Sequence, residues 1–153
     1  MDSSTLSAAT ALVAVVLGPV ITVYVAKRQI RASVVSANRQ AWINRLRDEL
    51  SKFVRDVKHV PSAQSAGALT PAEAIGRCEE TLLREEVIRL LLNPNEAEHQ
   101  ELLRLMANAR EQMLSAVNKQ RGLAPQLTKA TEPIVALAQQ ILKTEWERVK
   151  RGD

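Results

Sequence analysis

The feature that most constrains this chain is an uncharged run of twenty-one residues near its start, at positions 6–26. At about 1.5 Å per helical residue, such a run crosses the ~30 Å hydrocarbon layer of a bilayer. The rest of the chain carries charged residues throughout. The sequence therefore predicts an external N-terminus over 1–5, a transmembrane helix over 6–26 and a water-exposed domain over 27–153.

Two other interpretations of this run compete with a membrane span. A cleaved signal peptide has a basic start and a shorter apolar core, whereas the one charge in positions 1–5 is Asp2. A buried helix of a soluble protein seldom continues this far without a charge. Basic residues mark the cytoplasmic end of a span, and Lys27, Arg28 and Arg31 all follow the run. We therefore expect the N-terminus outside and the C-terminal domain in the cytoplasm.

Small residues recur every four positions within the run, a spacing that lets two membrane helices approach closely. They are Thr10, Ala14, Gly18 and Thr22. This ladder predicts self-association into a homo-oligomer. The alternative is that Ala, Gly and Thr are simply common in membrane helices.

The composition predicts an all-α fold. Aromatic residues make up only 3% of the chain, and Ala and Leu are its commonest residues, with many Arg, Glu and Gln. This composition favours helices over sheets. We expect the transmembrane helix to continue into an antiparallel cytoplasmic four-helix bundle. Its helices are predicted at about 27–59, 71–92, 95–121 and 125–150.

Local signals place most of these helix ends. Thr70 with Glu73 forms a capping box that starts the second helix, and Asn95 is the expected N-cap of the third helix. Pro61 is expected to open a flexible connection over 61–69. The fourth helix begins either at Pro125 or near Pro133.

Apolar spacing predicts which face of each helix is buried. In the first helix the stripe comprises Leu46, Leu50, Phe53, Val57 and Val60, with Ile30, Val34 and Val35 assigned to the same stripe. In the second helix the predicted face comprises Ile75, Cys78, Leu82, Val87, Leu90 and Leu91.

The basic excess lies next to the predicted span. Residues 26–60 carry nine Lys or Arg against three acids, whereas residues 61–153 carry twelve against thirteen. Anionic lipid headgroups explain this placement better than nucleic acid does, because few aromatic residues are available for base stacking. The residues assigned to headgroups are Lys27, Arg28, Arg31, Lys143, Arg148, Lys150 and Arg151.

An antiparallel bundle would bring the turn at positions 93–95 and the C-terminus to its membrane-proximal end. Trp42 and Trp146 would then help to form one core layer. Above that layer, Asn38, Arg39 and Gln40 would meet the turn. Together with Asn93 and Asn95 of the turn, they form a polar set that is expected to be a structural layer or a partner surface.

No residue pattern points to a reaction. His99 lies beside Glu96 and Glu98, but no second His or Cys stands at metal-ligand spacing. Acidic residues in a first helical turn are ordinary complements of the helix dipole. We therefore expect neither an enzyme nor a bound metal or cofactor.

Three stretches resemble an uncharacterised group of small bacterial and phage-encoded single-pass membrane proteins. They are NRQAWINRLR (38–47), LLNPNEAEH (91–99) and ILKTEWERVK (141–150). The resemblance implies the architecture and a place in the bacterial inner membrane, but no activity.

The expected function is that of a non-catalytic, membrane-anchored helical scaffold that self-associates and binds a protein partner. The alternative is an oligomeric pore-forming or membrane-perturbing effector, for example in phage–host conflict. The absence of acidic or strongly polar residues in the span disfavours an ion path.

Overall fold

The computed structural model describes the backbone of residues 3–119 and 124–151, and the side chains of residues 22–30, 33–119 and 124–151. The chain forms four helices: α1 (Ser3–Ser65), α2 (Pro71–Leu91), α3 (Ala97–Asn118) and α4 (Ala124–Arg151). No strand occurs in this part of the chain, so the predicted all-α class is confirmed. Among the same residues, no helix offers a stretch of the length and hydropathy that a membrane crossing needs.

Helix α1 is longer than the sequence suggested, because it continues through Pro61 rather than ending there. A proline removes one backbone hydrogen bond, and the remaining packing tolerates that loss here. The helix ends instead at Ser65, and Gly67, just beyond it, has a φ of 74° in the left-handed region. The Gly67 N–H donates to the Gln64 carbonyl (3.0 Å) and the Ala68 N–H to the Ala63 carbonyl (2.8 Å). This is a Schellman motif, so the predicted flexible connection is wrong in its first half.

The next two helix starts differ in how well local signals predicted them. The capping box at Thr70 is confirmed, because its Oγ1 accepts from the Glu73 N–H and its own N–H donates to the Glu73 carboxylate. The cap at Asn95 is wrong. Helix α3 has Glu96 at its N-cap, without a side-chain bond to the backbone. The Asn95 N–H instead donates to the side chain of Asn93 (3.1 Å), which forms the turn.

Helix α4 begins at Ala124 and contains Pro133 in its interior, which decides between the two predicted starts. Its buried residues follow one stripe: Leu127, Thr131, Ile134, Ala138, Ile141 and Glu145.

The core stripe of α1 matches the prediction from Leu46 to Val60, and Ile43 extends it by one turn. The proposed continuation through Ile30 and Val34 is wrong, since both side chains are exposed. Nine residues at about 100° each place Val34 on the opposite side of the helix from Ile43. None of the described side chains in positions 22–38 is buried, so this part of α1 projects from the bundle, and we call it the projecting part.

The buried face of α2 is rotated away from the predicted one. Ile75 and Leu90 were expected in the core but are 51% and 85% exposed. The buried positions are spaced by steps of four and three, and they are Ala74, Cys78, Thr81, Glu85, Ile88 and Leu92. Two of these residues are polar, which is why an apolar pattern did not identify the face.

Helix α1 packs against all three other helices, while α3 packs against α2 and α4. Arg84 of α2 pairs with Glu49 of α1 (2.9 Å), and the Trp42 indole reaches the Leu91 carbonyl. Low numbers in α1 therefore meet high numbers in α2, so these helices are antiparallel. Helices α2 and α4 lie on opposite sides of α1 and do not pack against each other.

Two glycines that have open space where a β-carbon would lie should respond oppositely to alanine. Gly67→Ala is expected to lower the free energy of unfolding by about 1 kcal/mol, because an L-residue is strained at positive φ. Gly76→Ala, inside α2, is expected to raise it by up to about 1 kcal/mol through helix propensity. Urea unfolding followed by circular dichroism measures both changes. Equal effects of the two variants would contradict the end assigned to α1.

Candidate functional site

One end of the bundle gathers residues from α1, from the α2–α3 turn and from α4. We call it the proximal end because it is the end nearest the projecting part of α1, and define it by Arg39, Trp42, Asn93 and Glu145. The Trp42 Nε1–H donates to the Leu91 carbonyl at 2.6 Å. That carbonyl belongs to the last turn of α2, where carbonyls lack a partner within the helix. Trp42 therefore ties α1 to the C-terminus of α2.

The turn between α2 and α3 is held by a buried histidine. His99 Nδ1 accepts a hydrogen bond from the Asn93 N–H (3.0 Å), and its Nε2 lies 3.5 Å from the Glu96 carboxylate. The Asn93 side-chain amide also donates to Glu96 (3.0 Å). His99 thus has a structural part in the turn. Within the described residues, no three His, Cys, Asp or Glu side chains are grouped to hold a metal ion.

Helix α4 joins the proximal end through Glu145, which sequence reasoning did not single out. Its buried carboxylate lies 3.5 Å from Arg39 Nε of α1 and accepts a hydrogen bond from Arg148 (2.5 Å). Arg148 was assigned to lipid headgroups, but it pairs within the chain here. Its spacing of four residues from Ile141 places Glu145 on the buried stripe of α4, and this spacing was the signal available in the sequence.

The predicted layer of two tryptophans is wrong. Trp42 is partly buried against the core, whereas Trp146 is 43% exposed and lies under Lys150 Nζ, which is 5.3 Å from its ring centroid. One residue corresponds to about 100° of helix, so the position after buried Glu145 faces away from the core. Trp146 borders a groove together with Gln40, so the two tryptophans lie at similar heights.

Members of the polar set on α1 contact α4 and other residues of α1. Arg39 contacts Glu145 of α4, and the Gln40 amide donates to Asn44 (3.2 Å) within α1. Asn38 and Asn95 are exposed. The proximal end therefore joins α1 to α4 by charge, and joins α1 to the C-terminus of α2 through Trp42.

The structure places the basic residues on two helices. Lys27 and Arg28 are exposed on the projecting part of α1, and Lys143, Lys150 and Arg151 are exposed along α4. The side chain of Arg31 lies outside the described residues, as do those of Thr10, Ala14 and Gly18. Thr22 is exposed.

Buried charges in the middle of the bundle were also missed by sequence reasoning. The Glu85 carboxylate is fully buried, and its oxygens lie 3.5 Å from Arg110 of α3 and 3.6 Å from Arg89. Burial raises the pKa of Glu85 above its ordinary value, although Arg110 and Arg89 oppose this. On the α1 side, Arg84 pairs with Glu49 and lies 3.6 Å from Asp56.

Comparisons with protein-family models, curated proteins and solved structures found no match to this chain. The three stretches named above nevertheless converge in space. Residues 38–47 and 91–99 meet through Trp42 and Leu91, and residues 38–47 and 141–150 meet through Arg39 and Glu145.

Replacing each tryptophan by phenylalanine should separate their roles. Trp42→Phe loses the indole N–H and leaves the Leu91 carbonyl without its partner, so we expect the free energy of unfolding to fall by about 1 kcal/mol. Trp146→Phe, at an exposed position, should change it by less than about 0.5 kcal/mol. Urea unfolding followed by circular dichroism measures both. A loss at Trp146 as large as that at Trp42 would contradict this assignment.

Arg110→Met removes one of the two arginines that pair with the buried Glu85 carboxylate. We expect the free energy of unfolding to fall by about 2 kcal/mol at pH 7, which is less than for an isolated buried charge because Arg89 remains. The folded state holds the Glu85 proton more tightly than the unfolded chain, so the loss should shrink as the pH falls toward the ordinary pKa of glutamate.

The matched control is the double variant Glu85→Leu with Arg110→Met. It removes both charges and should regain the wild-type free energy of unfolding or exceed it. A double variant no more stable than Arg110→Met would show that the loss comes from packing rather than from the carboxylate.

Proposed function

We propose that the protein is a non-catalytic, membrane-anchored scaffold whose helical bundle binds partners in the cytoplasm and self-associates. The observation that carries this proposal is the continuity of α1 from Ser3 to Ser65. The uncharged run at 6–26 and the first helix of the bundle belong to one rod. An anchor of this kind would fix both the distance and the orientation of the bundle relative to the bilayer.

The charges near the proximal end support an anionic membrane surface as a partner. No acidic residue occurs between Ser3 and Arg47, while Lys27 and Arg28 are exposed on the projecting part of α1. The contact between Arg39 and Glu145 brings the end of α4 to the same region. Basic residues close to anionic lipid contribute about 1 kcal/mol each.

Exposed apolar side chains on the projecting part of α1 agree with this placement. Val23, Tyr24 and Val25 follow one another just before the basic residues, and all three are exposed. Tyrosine is enriched at the boundary between hydrocarbon and water. A bilayer would cover the apolar side chains and leave Lys27 at the headgroups. The small-residue ladder from Thr10 to Thr22 would then face other copies within the membrane.

The test is the membrane topology of the full chain in a bacterial host. We expect the protein to remain in the membrane pellet after alkaline carbonate extraction. A reporter active only in the cytoplasm, fused after Asp153, should be active, and one active only in the periplasm should be inactive. Recovery in the carbonate supernatant would refute the anchor, and the opposite reporter pattern would refute the orientation.

A membrane-potential dye supplies the control for the alternative function. Induced expression of a scaffold should leave the potential unchanged, whereas an assembled pore should collapse it. The matched variant is Gly18→Leu, which would hold the helix backbones apart. If the wild type depolarises the membrane and Gly18→Leu does not, the scaffold proposal is refuted in favour of a pore.

A further inference from the structure

The outer face of α2 carries large apolar side chains that the bundle does not use. Ile75, Leu83 and Leu90 are 51%, 69% and 85% exposed. At about 100° per residue, Leu83 lies opposite the buried side of α2. Three exposed acidic residues accompany them on this side: Glu79, Glu80, which pairs with Arg77 at the edge of the face (3.0 Å), and Glu86. We call this surface, with its three apolar and three acidic residues, the acidic face.

A groove with the opposite charge runs between α1 and α4. Its apolar lining is contributed by Leu50 and Val54 of α1 and by Ile134, Val135, Ala138, Leu142 and Trp146 of α4. Its charged lining residues are Arg47 and Lys143, and no acidic side chain in the described part of the chain lines it. We call it the basic groove.

The two surfaces match in height along the bundle. Leu90 precedes Leu91, which contacts Trp42, while Trp146 borders the groove beside Gln40. Leu90 of the acidic face and Trp146 of the basic groove therefore both lie near the proximal end.

The two surfaces also match in height further from the proximal end, where Leu83 of the acidic face lies at the height of Leu50 of the basic groove. Leu83 precedes Arg84, which pairs with Glu49, so it lies at the level of Leu50. Leu50 lines the groove together with Val135.

A chain cannot fill its own groove, because α2 and α4 lie on opposite sides of α1. We propose that the basic groove of one copy receives the acidic face of a second copy. Glu86 then lies close to Arg47 and Lys143, and Leu83 packs between Leu50 and Val135. Because the two surfaces differ, the contact repeats from copy to copy and produces a ring or a row.

The inference deepens the proposed self-association and rests on the proposed anchor for one point. Copies held in one bilayer share one direction, which keeps the matching heights of the two surfaces in register. Pairing of like surfaces is disfavoured, since copies that share one direction would then oppose Glu86 to Glu86 or Arg47 to Arg47. Glu86 already pairs with Arg89 (3.3 Å), but exposed pairs of this kind open at little cost.

Disulfide cross-linking of the full chain in native membranes tests the contact. Leu83→Cys combined with Val135→Cys should give a ladder of dimers and higher species on a non-reducing gel, while each single variant should give none. The native Cys78 is buried and stays in place. A dimer from Leu83→Cys alone, no ladder, or cross-links to a protein of another mass would overturn the proposal.

Charge reversal provides the matched controls in the double-cysteine background. Glu86→Lys or Arg47→Glu alone should lower the cross-linked fraction about tenfold, and the two together should restore it. Glu111→Lys, on the exposed side of α3, should leave it unchanged. Failure of the paired reversal to restore cross-linking would refute the assigned charge contact.

Carbonate extraction of the same membranes separates this inference from the anchor. A ladder that forms while the protein is extractable would refute the anchor and retain the contact. If the cross-linked species persist in Gly18→Leu, the contact does not depend on the small residues from Thr10 to Thr22. If the cross-linked species are lost in that variant, the contact is not an independent interface.

Discussion

The fold depends on the packing of one long helix against the three others. The buried stripe of α1, from Ile43 to Val60, contacts α2, α3 and α4, whereas α2 and α4 do not pack against each other. Phe53 is fully buried near the middle of that stripe. Burial of this apolar surface is the dominant favourable term for a domain of this size. Because α1 also extends beyond the bundle, its position determines where every other helix lies relative to the projecting end.

Polar contacts then fix the ends and the register. Trp42 binds the last turn of α2, His99 holds the following turn, and Glu145 joins α4 to Arg39. Inside the bundle, Glu85 lies between α2 and α3 without a short hydrogen bond to either carboxylate oxygen. Such buried charges add little net stability but penalise alternative registers, which would leave them unpaired.

The functional proposals follow from surfaces that the bundle leaves uncovered. The projecting part of α1 is basic and apolar, which fits an anionic bilayer. The acidic face of α2 and the basic groove between α1 and α4 lie on opposite sides of one chain, and they are complementary in both charge and apolar content. Together with the proposed anchor, two such surfaces are suited to lateral assembly.

The sequence by itself determined the helical class, the core stripe of α1 and the start of α2, because these depend on local spacing and on the capping box at Thr70. Tertiary structure decided the rest. Packing kept α1 helical through Pro61, and it placed Glu85 and Glu145 on buried faces although no apolar pattern includes them. It also left Trp146 exposed. Each outcome depends on which side of a helix meets a distant helix, and a side chain's own chemistry does not specify its neighbours.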